Sequence, residues 1–243
     1  MTSFSPILGI DIGSVCIHIA LIDSDTRILH TAADYHHGEI RQCLERLLDH
    51  TAIDLAAIHQ VAKTSQTPSS VHADQAYDGQ LCRIRAARLL HQQFHAILHI
   101  GGENFSLSRF DDTLTYLGAK HNTSCAAGTG SFLDQQARRL NLSGGSEELS
   151  KMALANTRKR PDIATRCAVF AKTDLIHAQQ EGFNVHQICD GLCYGLAKNI
   201  ANTLFKHENI GSKIIFCGGV AANASVRHHL EALTGYEFVI DEH

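Results

Sequence analysis

The chain has 243 residues, with 21 Lys and Arg against 25 Asp and Glu, a formal net charge of −4 and a pI near 6.5, so no basic surface for nucleic acid is expected. The length suits one large or two modest domains, each able to bury a core without staples. Eight cysteines, at positions 16, 43, 82, 125, 167, 189, 193 and 217, form no Cys-x-x-Cys pair and no short-spaced framework, which argues against a zinc ribbon and against a secreted, disulfide-bonded chain. The first strand pattern arrives within a few residues of the start, leaving no room for a leader, and no apolar run is long enough to span a bilayer. A cytoplasmic protein with neither nucleic-acid nor membrane partners is expected. The seventeen histidines are scattered, with no His-x-x-x-His beside a carboxylate, and are expected on the surface or on helix faces.

Ile7-Leu8-Gly9-Ile10-Asp11-Ile12-Gly13-Ser14 reads as an apolar strand interrupted by one carboxylate and closed by Gly-Ser. Strands over 17–22 and 27–33 follow across short turns, giving an antiparallel meander. A helix over about 38–50, a strand over 58–62 and a helix over about 81–93 complete the order β-β-β-α-β-α, that of a ribonuclease-H-like unit. The pattern then restarts with a strand over 95–100, Gly101-Gly102, a strand over 105–110, a turn at Asp111-Asp112 and a strand over 114–117. The expectation is an α/β protein made of two ribonuclease-H-like halves, 1–94 and 95–243.

Glycines close the first strand of each half. Glycine permits positive φ and close backbone approach, so the turns Asp11-Ile12-Gly13-Ser14 and Gly101-Gly102-Glu103-Asn104 suit wrapping phosphate oxygens with N–H groups. Asp11, a lone charge between Ile10 and Ile12, is expected to face a cleft and a hydrated Mg²⁺ rather than the core. Farther on, the run from Ile214 to Asn223 reads as a buried strand, the diglycine Gly218-Gly219, and a helix start with Asn223 as its cap, an arrangement that lets an adenosine lie against backbone.

Two cysteines sit where small or polar residues give way to an amphipathic helical pattern. Cys125 lies in Asn122-Thr123-Ser124-Cys125-Ala126-Ala127-Gly128-Thr129-Gly130-Ser131-Phe132, ahead of Leu133, Ala137 and Leu140. Cys167 lies in Ile163-Ala164-Thr165-Arg166-Cys167-Ala168-Val169-Phe170, ahead of Ala171, Leu175 and Ala178. Unpaired N–H groups and the macrodipole at a helix start favour a thiolate, or a negatively charged metal–sulfur cluster. The bland reading is a pair of small buried hydrophobes. For the other six that reading prevails: Cys189 and Cys193 share an apolar stripe with Ile188, Leu192, Leu196, Ile200 and Leu204, on a helix with Gly191, Gly195 and Lys198 on other faces. Cys217 ends a buried strand, and Cys16, Cys43 and Cys82 have no cysteine partner.

With the Ser124-to-Asp134 segment, Arg166-Cys167-Ala168-Val169-Phe170-Ala171 and Gly218-Gly219-Val220-Ala221-x-Asn223, the chain resembles the ATP-dependent activators (component A) of 2-hydroxyacyl-CoA dehydratases and their relatives in benzoyl-CoA reductase, BcrA/BadF-type ATPases within the sugar kinase, Hsp70 and actin superfamily. The resemblance covers nearly the whole chain. It implies that Cys125 and Cys167 supply two thiolates per subunit to a 4Fe-4S cluster shared by a homodimer, one cluster per dimer. It implies ATP and Mg²⁺ held by Asp11, Ile12, Gly13, Ser14, Val15, Gly101, Gly102 and Glu103, with Asp11 and Glu103 serving hydrolysis, and adenosine held by Gly218, Gly219, Val220 and Asn223. The implied function is ATP-driven transfer of one electron, taken from reduced ferredoxin or flavodoxin, to a 2-hydroxyacyl-CoA dehydratase or similar iron–sulfur reductase. Asp174, beyond Cys167 on the same helix, either points toward the cleft or solvates a helix face.

The chain departs from the family pattern twice. Many activators have Asp-Ile-Gly-Gly-Gln-Asp at the second hairpin, where this chain has His99-Ile100-Gly101-Gly102-Glu103-Asn104, a form that resembles activator modules fused to dehydratase-like domains. It also ends at Phe238-Val239-Ile240-Asp241-Glu242-His243, where relatives continue through a final loop and a Gly-Ala-rich helix, so the resemblance implies a short form or a piece of something longer, its second half lacking the last helix. The alternatives are a kinase of the same superfamily, for which no substrate base is evident in the first half, and a nucleotide-binding interaction module without turnover.

Overall fold

The computed structural model describes residues 6–50, 55–122, 129–164 and 168–240. The chain divides into two compact units that meet in sequence at Leu90 and His91. The first holds β1 (Ile7–Ile12), β2 (Cys16–Ile22), β3 (Ile28–Tyr35), α1 (Ile40–His50), β4 (Gln60–Thr64), β5 (Gln75–Tyr77) and α2 (Gly79–Leu90). The second holds β6 (Ala96–Ile100), β7 (Phe105–Phe110), β8 (Tyr116–His121), α3 (Gly130–Arg139), α4 (Gly145–Leu154), α5 (Ala168–Gln180), α6 (Val185–Ile200), β9 (Lys213–Cys217), α7 (Ala224–Thr234) and β10 (Glu237–Val239).

Each unit is built on a five-stranded mixed sheet, ordered β3-β2-β1-β4-β5 in the first and β8-β7-β6-β9-β10 in the second. In both, an antiparallel meander of three strands is extended by two strands parallel to its first. The ribonuclease-H-like pattern read from the sequence is thus present twice. In β1 the period of two buries Leu8, Ile10 and Ile12 and turns Gly9 and Asp11 to the opposite face. β6 lies between β7 and β9 and is buried at every position except His99, as a central strand covered on both faces requires.

Several boundaries differ from the sequence reading, each for a local reason. β4 begins at Gln60 rather than Ile58, which instead packs against the first unit's core from the preceding loop. β5 was not expected: it is a three-residue edge strand, exposed throughout, with no alternation to announce it. β8 starts at Tyr116, because Leu114 has φ 61° inside a loop wrapped around the Asp111 carboxylate, which accepts the amides of Thr113 and Thr115. α4 lies outside the helices expected from the sequence. Its glycine start carries no side-chain cap, and its first turn is instead marked by Glu147 and Glu148.

α6 opens on a capping box between Asn184 and Gln187 and runs into a π-helical turn at Ala201–Phe205. Its stripe of Ile188, Cys189, Leu192, Cys193, Leu196 and Ile200 is buried as expected, but Gly191 and Gly195 are buried too. The reason at Gly191 is a close crossing: a Cβ there would stand 2.8 Å from the carbonyl oxygen of Pro161, so the strap 156–164 lies directly on the helix. Of the histidines expected on the surface or on helix faces, His36 is buried in the loop after β3, and His229 is on the buried face of α7.

His229 of α7 donates from Nε2 to Asp190 Oδ1 on α6 at 2.6 Å, while Asn156 Nδ2 of the strap donates to Asp190 Oδ2 at 2.9 Å. Burial pushes the Asp190 carboxyl up, but the hydrogen bonds from His229 and Asn156 and the neighbouring charges of His229 and Arg160 outweigh it and hold the group below the usual range. A carboxyl whose folded pKa is depressed adds stability that is complete above about pH 4 and disappears as pH falls through the lower folded value. Asp190→Ala is expected to cost roughly 3–5 kcal/mol in urea unfolding at neutral pH, by leaving its buried partners unpaired. It is also expected to flatten the acid limb of the stability profile. An unchanged acid limb would show that Asp190 titrates alike in both states.

Candidate functional site

In the first unit the site residues surround the β1–β2 turn. Parallel pairing sets Ile10 beside Lys63, so Thr64 falls at the level of Asp11. The Thr64 hydroxyl donates to Asp11 Oδ1 at 2.6 Å and lies 3.0 Å from the Thr67 hydroxyl, which accepts the Ile12 amide at 3.1 Å. Asp11 is half-buried, with one oxygen fixed by Thr64, leaving Oδ2 as the oxygen able to meet a cation. Ile12 is a core residue, so it offers backbone only, whereas Gly13 and Ser14 are exposed and Val15 is half-buried. Thr64 and Thr67 escaped the sequence reading. The available signal was a pair of threonines, one ending and one just past a strand that pairs in parallel with the carboxylate strand.

In the second unit, two of the glycine motifs and the start of α3 come together. The Gly101 amide closes the hairpin onto the Asn104 carbonyl at 2.8 Å. The Gly101 and Gly102 carbonyls accept from the Gly130 and Ser131 amides, each at 3.0 Å. Gly130 sits in tight space: a Cβ would stand 3.1 Å from Val220 Cγ2 and 3.2 Å from the Gly101 carbonyl oxygen. Gly218 has φ 92°, and its backbone crosses that of Ile100, while Gly219 has open space where a side chain would be. The His99 ring is wedged between the hairpin and the diglycine, 3.1 Å from the Cβ positions of both Gly101 and Gly218. Glu103 is exposed at the hairpin tip.

Asn223 caps α7 as expected, its Oδ1 accepting the Val226 amide at 2.9 Å. Its Nδ2 is buried and has no partner among the described residues. An orphaned amide donor four residues after the open Gly219 suits an acceptor atom of a bound nucleoside. Asp174 Oδ2 accepts the Ala164 amide at 2.8 Å, tying α5 to the described end of the strap.

Cys125 and Cys167 lie outside the described residues. α5 begins at Ala168, directly after Cys167, and α3 begins at Gly130 behind a buried Thr129. The expectation of unpaired amides at the α3 start is corrected, because the Gly130 and Ser131 amides are taken by Gly101 and Gly102; what remains there is the macrodipole. For four of the other six cysteines the structural reading agrees with their chemistry. Burial pushes Cys189 and Cys193 up to about 12 and also raises Cys43 and Cys82, so all four stay thiols at neutral pH. Among the described residues, no group of three or more His, Cys, Asp or Glu side chains is arranged to hold a metal ion. None of their helices is long and apolar enough to cross a membrane.

The chain is 25% identical over 200 residues to the 2-hydroxyisocaproyl-CoA dehydratase activator of Clostridioides difficile, a match spanning 82% of this chain and 74% of that protein. It is 29% identical over 165 residues to the (R)-2-hydroxyglutaryl-CoA dehydratase activating ATPase of Acidaminococcus fermentans, spanning 68% of this chain and 62% of that one. In fold it is similar to the activator of the 2-hydroxyisocaproyl-CoA dehydratase from Clostridium difficile with bound ADPNP, at a TM-score of 0.87 and 22% identity over 98% of this chain and 88% of that one. The match to the BadF/BadG/BcrA/BcrD ATPase family runs over residues 8–240, and the chain belongs to that family.

Proposed function

We propose that this ATPase-family protein is an ATP-dependent activator that passes one electron to a 2-hydroxyacyl-CoA dehydratase or related iron–sulfur reductase. The observation that carries this reading is the pair of hydrogen bonds from the Gly130 and Ser131 amides to the Gly101 and Gly102 carbonyls. They tie the hairpin proposed for phosphate to the helix that starts just after the Cys125 segment. A change of nucleotide at the hairpin therefore bears on that helix through two direct contacts.

In this proposal the first hairpin, Gly13-Ser14-Val15, and the second, Gly101-Gly102, hold phosphates, while Gly218, Gly219, Val220 and Asn223 hold the nucleoside. Asp11, fixed by Thr64, offers its free oxygen to Mg²⁺, and Glu103 is the other carboxylate serving hydrolysis. Cys125 and Cys167, with the same pair from a second copy, furnish the four thiolates of a shared 4Fe-4S cluster, which supplies one-electron redox chemistry when bound. Reduced ferredoxin or flavodoxin in the cytoplasm serves as the electron source. ATP shifts such a dimer only as far as it prefers one arrangement over the other, so the nucleotide state must be read by groups that contact it.

The test is to reduce the protein anaerobically, mix it with a dehydratase-type partner, and follow the visible absorption of the cluster. Oxidation is expected with ATP and no oxidation with ADP. Oxidation at equal rates with both nucleotides, or ATP hydrolysis beside a cluster that stays reduced, would rule the proposal out.

A further inference from the structure

We infer that His36 is a positioning residue for the phosphate hairpin Gly13-Ser14-Val15, holding the carbonyls of Gly13 and Val15 so that the hairpin's amides are left to an anion; this rests on reading that hairpin as a phosphate site. His36 directly follows β3 and is 9% exposed. Its backbone amide donates to the Val15 carbonyl at 3.1 Å, and its Nε2 lies 3.2 Å from the Gly13 carbonyl oxygen. The other ring nitrogen, Nδ1, lies 3.0 Å from the Gly38 amide. A backbone N–H can only donate, so Nδ1 must be the bare nitrogen and Nε2 must carry the proton. The imidazole therefore donates to Gly13, and its tautomer is set by Gly38. Gly38 itself has φ 90°, and His37 before it has φ 48°, so the short turn that brings the Gly38 amide under the ring depends on left-handed backbone.

The hairpin's own hydrogen bonds complete the argument. The Gly13 amide closes onto the Cys16 carbonyl at 3.0 Å. With the Gly13 and Val15 carbonyls held by His36, the backbone groups of the turn that make no hydrogen bond among the described residues are the amides of Ser14 and Val15 and the Ser14 carbonyl. A turn with loose carbonyls presents its negative ends to a phosphate about as readily as its donors; fixing two of the three carbonyls tips that balance toward the donors. Sequence gives no hint of this contact, since His36 is one of many scattered histidines and lies 23 residues from Gly13.

The experiment compares the full chain with His36→Leu and His36→Gln, titrating each with ADP and with adenosine. Glutamine places an amide N–H close to where Nε2 stands, whereas leucine fills the space without a donor. His36→Leu is expected to weaken ADP about tenfold, the effect of one lost hydrogen bond, with adenosine affinity unchanged and His36→Gln close to the unmodified protein. Equal weakening of ADP and adenosine, or no recovery with glutamine, overturns the inference and leaves His36 as a packing residue. The ¹⁵N resonances of the imidazole in the unmodified chain test it independently of whether the leucine variant folds: a neutral ring with its proton on Nε2 is expected, and a proton on Nδ1 overturns it. Adenosine binding by the unmodified chain with no gain from the phosphates of ADP would instead bring down the phosphate reading of the hairpin itself.

Discussion

Replacing Gly218 by alanine is expected to destabilise the second unit by about 3 kcal/mol or more and to remove nucleotide binding with it. Gly218 sits at φ 92° and ψ 167°, a region of backbone space that is essentially reserved for glycine and costs any other residue of order 1–3 kcal/mol. Space adds to conformation: an alanine Cβ would stand 2.4 Å from the carbonyl oxygen of Ile100 and 2.8 Å from its carbon. Those atoms belong to β6, the middle strand of the sheet, which cannot yield without disturbing its ladders to β7 and β9. Against a typical total stability of about 5–15 kcal/mol, that is a large fraction. Gly219→Ala is the control, because nothing lies within 4 Å of its added methyl group. It is expected to leave the urea midpoint close to the unmodified value while weakening nucleotide, since the methyl enters the open space proposed for the nucleoside. Equal midpoints for the two variants would mean that the backbone crossing at Ile100 is not tight.

The parts of the fold that were legible are those written in local chemistry. Alternation in Ile7–Ile12 gave the first strand and singled out Asp11 as the residue that does not face the core. The run into Gly218-Gly219 and Asn223 gave a buried strand, its end and a helix cap, all observed. What escaped depends on pairs far apart in the chain. Thr64 meets Asp11 only because β4 runs parallel to β1, and His36 reaches Gly13 only because the meander folds back. Gly191 was placed off the apolar stripe, and helical periodicity has no way to announce a strap crossing the helix there at Pro161. The α3 start was read as a set of free amides, since nothing local says that the Gly101 and Gly102 carbonyls will occupy them.

Cys125→Ser and Cys167→Ser are each expected to abolish bound iron, leaving a colourless protein after anaerobic preparation. The size of the effect follows from symmetry. In a homodimer sharing one cluster, a single substitution appears twice and removes two of four thiolates, so loss to background is expected rather than a graded decrease. Cys189→Ser and Cys193→Ser supply the contrast. Those thiols are fully buried on α6 and pushed up to about 12, which marks them as packing groups, and iron content is expected to stay at about one cluster per dimer. No described group of His, Cys, Asp and Glu offers iron another home, so metal kept by Cys125→Ser could not be explained by a nearby substitute site in those residues. The two outcomes also differ in assembly. If each subunit brings half of the ligands, the iron-free variants should dissociate more readily on dilution than the loaded protein, measured by sedimentation. Full iron and unchanged colour in Cys125→Ser would exclude that thiol as a ligand. An iron-free variant that dimerises as tightly as the loaded protein would show instead that protein contacts alone hold the two copies together, and that the cluster is carried by the interface without helping to form it.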